Sequence, residues 1–290
     1  IAVDSFRWNY NRTTNAFTNG SLVKLQYSPD NGNTWSNIAE SIPLTNGCYT
    51  WNASNAVSSL AARWRVLSES DPSVLDTNDS IFTLRALTNS ILAAYVNDPA
   101  PDNDVYCTAI GSTTNDGLAP ARPKTSIQDI LNEYDLGPGD IIYVDTGIYS
   151  ISNTITLGSS DQGNPGRVMT IQGSTNSVLD SSVIHINSSA KDIFYLYRAS
   201  YYRLTHMTVK GGNIGIYLLG DSSEHSKNCE FYRIVAETNL YGFYGQYSDT
   251  NRFIGCVAKG AKNDGLYNNG NNNWTWDRGI SWSNTYGFRV

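Results

Sequence analysis

The chain has 290 residues, 40% of them hydrophobic and only 16% charged, with a formal net charge of −6. That length allows two domains. The absence of a basic block excludes a phosphate-binding nucleic-acid surface, and no apolar run approaches the ~18 residues that span a bilayer.

The composition is that of β-structure. Nineteen tyrosines and an abundance of Asn, Ser, Thr and Gly suit pleated strands joined by polar turns, where long helices would want more Ala, Leu, Glu and Lys. Residues 1–86 predict short strands. Leu22–Ser28 alternates, Pro29-Asp30-Asn31-Gly32 makes a hairpin turn, and Thr34-Trp35 starts the return. Further strands are expected at Cys48–Trp51, Ala62–Val66 and Ile81–Leu84, giving a two-sheet sandwich with Trp8, Trp35, Trp51 and Trp64 packed in its core. The domain reads as clipped close to its first strand.

Residues 87–103 carry no pattern and end in Asp98-Pro99-Ala100-Pro101, which predicts a stiff linker. Residues 104–290 form a second domain. Thr125 or Ser126 can cap a short amphipathic helix with Ile127, Ile130, Leu131 and Tyr134 on one face, stopped by Gly137-Pro138-Gly139. Strands follow at Ile141–Val144 and near 154–157, 168–172, 184–186 and 193–197.

The last third repeats. Asn213-Ile214-Gly215-Ile216-Tyr217 aligns with Leu240-Tyr241-Gly242-Phe243-Tyr244, then with Asp264-Gly265-Leu266-Tyr267 and Tyr286-Gly287-Phe288-Arg289. The glycines step by 27, 23 and 22 residues, the period of a β-solenoid whose coils share one core. Ile216, Phe243, Leu266 and Phe288 should stack inside, so Phe243→Asp should cost several kcal/mol. Asn213, Asn239, Asn263 and Asn284 are expected at turns, bonding to their equivalents in the next coil. Asn251 falls in a presumed loop, where Asn251→Asp should change little. Lys210 and Glu237 share a coil position and are expected to pair. No capping element follows Gly287, so more coils are expected downstream and further modules upstream.

Cys48, Cys107, Cys229 and Cys256 include no Cys-x-x-Cys pair, and no His completes a zinc set. Cys229 and Cys256 lie 27 residues apart, one coil on this count, and should be core neighbours, either as free thiols or bridged. Asn-x-Ser/Thr triplets begin at Asn11, Asn19, Asn52, Asn78, Asn187 and Asn273 and are compatible with an extracellular location.

Two resemblances follow from these motifs. The stretch from Lys24-Leu25-Gln26-Tyr27-Ser28 through Asp30–Trp35, Tyr49-Thr50-Trp51 and Arg63–Val66 to Asp76–Phe82 resembles immunoglobulin- or fibronectin-like modules of secreted microbial proteins, which implies a spacer. Asn115–Pro120 with Pro123–Gln128, and Gly137–Val144 with Gly147-Ile148-Tyr149, resemble the entrance to right-handed β-helices of the pectate-lyase-like superfamily. The fold class implied is all-β, an N-terminal sandwich followed by a right-handed parallel β-helix with a capping α-helix. The superfamily hosts lyases, hydrolases, epimerases, phage spikes, adhesins and surface-layer components, so the fold does not fix the activity.

Polysaccharide lyases of that superfamily combine calcium, held by several carboxylates, with a Lys or Arg base. Here Lys262 and Asp264 are the catalytic candidates, but no acidic row surrounds them and the sequence designates no calcium ligands. Inverting hydrolases need clustered aspartates about 6.5–9.5 Å apart, and the sequence has no Asp-Asp pair. His225, in the polar loop Asp221–His225, would need a partner that the sequence does not name. Tyr267, Trp274, Trp276 and Trp282 form an aromatic patch that suits stacking on sugar rings, or an interface with further coils or neighbouring subunits. The leading expectation is therefore an extracellular or cell-surface structural or adhesive protein, non-catalytic, with a glycan or a surface assembly as partner. The alternative is an extracellular polysaccharide-degrading enzyme.

Overall fold

The computed structural model describes residues 3–8, 21–53, 56–57, 59–84, 91–176, 182–270 and 273–289. The chain forms two compact units, Ile1–Ser90 and Ile91–Val290. The triplets at Asn11 and Asn19 and the expected linker positions 87–90 lie outside the described residues.

The first unit is antiparallel. Ser36–Pro43, Leu22–Ser28, Ser59–Ser68 and Leu75–Thr77 pair in that order, Phe82–Leu84 joins Ser59–Ser68, and Val3–Arg7 pairs with Cys48–Asn52. Both sheets feed one core of Phe6, Trp8, Val23, Leu25, Ile42 and Leu44, against which Trp51 and Trp64 pack. Trp35 does not join it. Its indole donates to Gly32 O and lies under Arg65, whose guanidinium is 4.2 Å from the ring. The hairpin is held by its own polar side chains. Ser28 Oγ accepts from Gly32 N and Asp30 Oδ1 from Thr34 N, each at 2.7 Å, while Asn31 and Gly32 take the left-handed conformation expected of an Asn-Gly turn.

The second unit is a right-handed parallel β-helix. The helix expected near Ser126 spans Ile127–Glu133, with Ser126 Oγ accepting from Asp129 N at 3.1 Å and with Ile127 and Ile130 buried. Ala93–Val96, placed by the sequence in a linker, is instead a strand that pairs in parallel with Ile141–Val144. Its four residues are too few to show a period, and the partner is 48 residues onward.

Three parallel sheets run along the solenoid. The first begins at Ala93–Val96, Ile141–Val144 and Met169–Gly173, and the second at Gly147–Ser150 and Ser182–Ser188. Tyr202–Gly212 and Glu230–Glu237 each serve both sheets, bending at His206 and Arg233, whose φ values are +55° and +51°. Gly255 and Arg278 continue that left-handed corner in the next coils, between Arg252–Ile254 and Val257–Lys259 and between Thr275–Asp277 and Ile280–Trp282. The third sheet stacks Ile155–Leu157, Phe194–Tyr197, Ile214–Leu219, Tyr241–Gln246, Asp264–Asn269 and Tyr286–Arg289.

Register stacks inward residues into columns, and one column can be followed along each sheet. The first-sheet column reads Ile142, Ile171, Leu204, Phe231, Phe253, Trp276. The second reads Tyr149, Ile184, Val209, Ala236, Ala258, Ser281. The third contains Ile155, Phe194 and then the expected Ile216, Phe243 and Leu266, while Phe288 continues the column in register but is 51% exposed. As the first column grows from aliphatic to aromatic, the second shrinks to Ala and Ser, so large side chains on one sheet are offset by small ones on the other.

Two of the four turn asparagines, Asn239 and Asn284, reach backbone rather than each other, while Asn213 donates to the Asp192 carboxylate. Asn239 Oδ1 accepts from Gly212 N and its Nδ2 donates to Val209 O, while Asn284 makes the same pair of bonds to Ala261 N and Ala258 O. A Cβ at Gly215, Gly242 or Gly265 would stand 2.7, 2.4 or 2.7 Å from the carbonyl oxygen of the next coil's glycine, which is why glycine recurs there. Asn251, expected in a tolerant loop, is fully buried. Cys229 and Cys256 are free and buried, but not at equivalent positions. The coil between Glu230 and Arg252 is 22 residues long, not 27, so Cys229 falls opposite Asn251 and Cys256 opposite Ile234.

Candidate functional site

The outer face of the third sheet carries the most ordered set of side chains. Pairing aligns Tyr195, Tyr217, Tyr244 and Tyr267 on four successive coils, followed by Arg289. Their ring centroids are 5.3, 5.2 and 4.9 Å apart, and the Arg289 guanidinium lies 5.1 Å from the Tyr267 ring. Each ring is half-buried, so part of it faces solvent. Tyr197 stacks on Tyr195 at 5.9 Å and Tyr241 on Tyr267 at 6.3 Å, which widens the row into a strip. Burial raises the phenols of Tyr195, Tyr217 and Tyr244, with Tyr217 pushed up to about 12, so these three rings are uncharged.

Two carboxylates border it. Asp192 Oδ1 accepts from Asn213 Nδ2 at 2.9 Å and Ile214 N at 3.1 Å, and burial holds its carboxyl above the usual range. Asp264, in the row of Ile214, Tyr241 and Tyr286, is fully buried. Arg289 Nε lies 3.1 Å from its Oδ1, yet neither oxygen accepts a well-formed hydrogen bond. Burial raises its pKa against the opposing pull of Arg289.

The sequence candidates separate in space. Lys262 is exposed in the turn before Asp264, and the ion pair of Asp264 is with Arg289. Only Tyr267 joins the tyrosine row. Trp276 aligns with Phe253 and packs on Phe243, Phe253 and Phe288. Trp274 packs on Phe253 at 4.9 Å and donates to Ser248 O. Both rings pack on core aromatics and are half-buried. Trp282 is exposed on the second sheet, aligned with Lys259. Neighbours in sequence are dealt to different faces because the chain turns a corner every few residues.

Several other charged groups pair with one another. Glu237 pairs with Lys259 at 3.3 Å rather than with Lys210. Glu230 is held by Arg203 and Arg252. His225 finds a partner in Asp249, Nδ1 to Oδ2 at 2.5 Å, one coil onward. Arg198 bonds to Asp221, which also accepts from the Tyr197 hydroxyl at 3.2 Å. Among the described residues, no three His, Cys, Asp or Glu side chains come together as metal ligands. A cleft of about 540 Å³ beside the capping helix is lined by Ile127, Ile148, Ile151, Ile155 and Ile184, with Asp98 at its edge. None of the described helices is long and apolar enough to cross a membrane.

No family model matches the chain, and no curated protein is similar to it in sequence. Among solved structures it is similar to a rhamnogalacturonan lyase, with 16% identity and a TM-score of 0.49 over 68% of this chain and 53% of that one. It is similar also to a pectate lyase, with 17% identity and a TM-score of 0.40 over 68% of this chain and 56% of that one. The chain spans a little over half the length of each. At these identities the likeness does not extend to activity.

Proposed function

We propose that this chain is the polysaccharide-binding part of an extracellular or cell-surface β-helix protein, and that the polymer lies along the outer face of the third sheet. The observation that carries this reading is the row Tyr195–Tyr217–Tyr244–Tyr267. Sugar rings have apolar C–H faces that stack on aromatic rings while their hydroxyls bond to surrounding polar groups. A row with one ring per coil offers repeated subsites to a repeated ligand. The first unit, with two antiparallel sheets over a tryptophan-rich core, is read as an immunoglobulin-like spacer.

Affinity electrophoresis in gels containing plant and microbial polysaccharides tests this. Migration should slow in at least one gel, and Tyr217→Ala or Tyr244→Ala should weaken the retention tenfold or more. Equal retention of wild type and both variants would refute the reading.

A second reading, that the bound polymer is also cleaved, is favoured by Asp264. A buried carboxyl with a raised pKa beside an arginine and within an aromatic strip is the environment of a general acid. Reducing-end and unsaturated-product assays on each retained polymer test it. Turnover lost in Asp264→Asn with retention intact would support cleavage over a purely adhesive role.

A further inference from the structure

Resting on the reading that the tyrosine strip binds a polysaccharide, we infer that its ligand is a neutral polymer and not a polyuronate. The rings of the row are neutral phenols that serve as hydrogen-bond donors, and burial raises those of Tyr195, Tyr217 and Tyr244 further. The strip's second row adds Gln246 and Asn269, amides that both donate and accept.

A polyuronate brings one carboxylate per sugar, and each needs a free cation or a bridging metal ion to offset its desolvation. The two arginines beside the strip are paired with carboxylates, whereas Lys191 is tied down only by neutral oxygens. Arg289 is paired with Asp264 at 3.1 Å and lies over Tyr267 and Tyr286. Arg198 is paired with Asp221. Lys191 Nζ donates to Ser152 O at 2.7 Å and to Asn153 Oδ1 at 3.0 Å. Among the described cations at this face, Lys262 alone has no partner, and it stands in a turn at the margin.

The remaining charge on the strip has the wrong sign for a polyanion. Asp192 spends Oδ1 on Asn213 and Ile214, which leaves Oδ2 available to accept from a sugar hydroxyl. An anionic chain would meet that carboxylate, and the net charge of −6 would oppose its approach at low salt. A sugar hydroxyl can donate to Asp192 as well as accept from the phenols and amides, whereas a carboxylate can only accept and adds a charge that Asp192 repels.

The test uses the whole chain in affinity electrophoresis and calorimetry. The probes are neutral xylan, galactan and mixed-linkage glucan on one side, and polygalacturonate and alginate on the other, each at 20 mM and 300 mM NaCl. The expected result is retention by at least one neutral polymer, changed less than twofold by salt and by Lys262→Ala, and weakened at least tenfold by Tyr217→Ala. Melting curves establish that the variants remain folded. Tyrosine-dependent binding to a uronate polymer alone, falling with salt or lost in Lys262→Ala, would overturn this inference while leaving the binding face in place. Binding indifferent to Tyr217→Ala and Tyr244→Ala, or no binding to any of the five polymers, would overturn both.

Discussion

The side-chain carbonyl of Asn251 accepts the backbone N–H of Cys229 at 2.9 Å, one coil back, while its amide donates to Ser226 O at 3.3 Å. Asn251→Asp keeps the acceptor but removes the donor and leaves a charge in a fully buried site. We expect a loss of about 3 kcal/mol, measured by urea unfolding at neutral pH. The deficit should shrink as pH falls and the new carboxyl regains a proton. An unchanged midpoint would refute this role for the amide.

Phe243 is fully buried, with Phe253 at 5.4 Å and Trp276 at 5.3 Å. Phe243→Ala should cost about 3–5 kcal/mol and Phe243→Leu clearly less, because leucine keeps most of the volume. Equal thermal midpoints for the two variants would show that the site can collapse around the gap.

Asp264 imposes a pH dependence. Its folded pKa lies above the unfolded value, so the folded chain holds the proton longer and stability falls as pH rises from the usual carboxylate value to the raised one. Asp264→Asn abolishes that titration. Over this window the variant should gain stability relative to wild type, read from melting temperatures at closely spaced pH values. Parallel curves for the two proteins would contradict the raised value.

Thiol chemistry should separate the cysteines. Cys48 is exposed, whereas Cys107, Cys229 and Cys256 are buried, and burial pushes the Cys229 and Cys256 thiols up to about 12. A thiol-specific reagent should modify Cys48 quickly in the native chain and the other three only on unfolding. Fast native labelling of Cys229 or Cys256 would mean that the coils open locally.

Ala236 and Phe231 lie in one coil, on the second and first sheets. Ala236→Val alone should cost about 1–3 kcal/mol by overpacking, and Phe231→Leu should relieve part of that cost in the double variant. Strictly additive losses would show that the two columns do not share space.

Much of the solenoid was legible because its third strand carries a polar-Gly-apolar signature that no neighbouring strand shares. The capping helix was legible from Ser126 and the apolar spacing behind it. The tyrosine strip was only partly so, although its signal is plain once the glycines are aligned. Tyr217, Tyr244 and Tyr267 each stand two residues after one, while Tyr195 belongs to a strand without that glycine. Trp274 and Trp276 misled, because an aromatic cluster in sequence says nothing of which side of a corner each ring takes. The corners were only half visible, since His206 and Gly255 are types that favour a left-handed backbone but Arg233 and Arg278 are not.

The opposed size gradients of the first two columns make each coil specific to its place. The coil of Leu204, Val209 and Ile216 could not be exchanged with that of Phe253, Ala258 and Leu266 without clashing on one wall and leaving a gap on another. A stack of identical coils could slip by one repeat and remain packed, but here slippage mismatches every layer at once. The interior therefore works as a key cut along the solenoid axis. It fixes which coil follows which, and so it fixes the order in which the outer tyrosines are displayed.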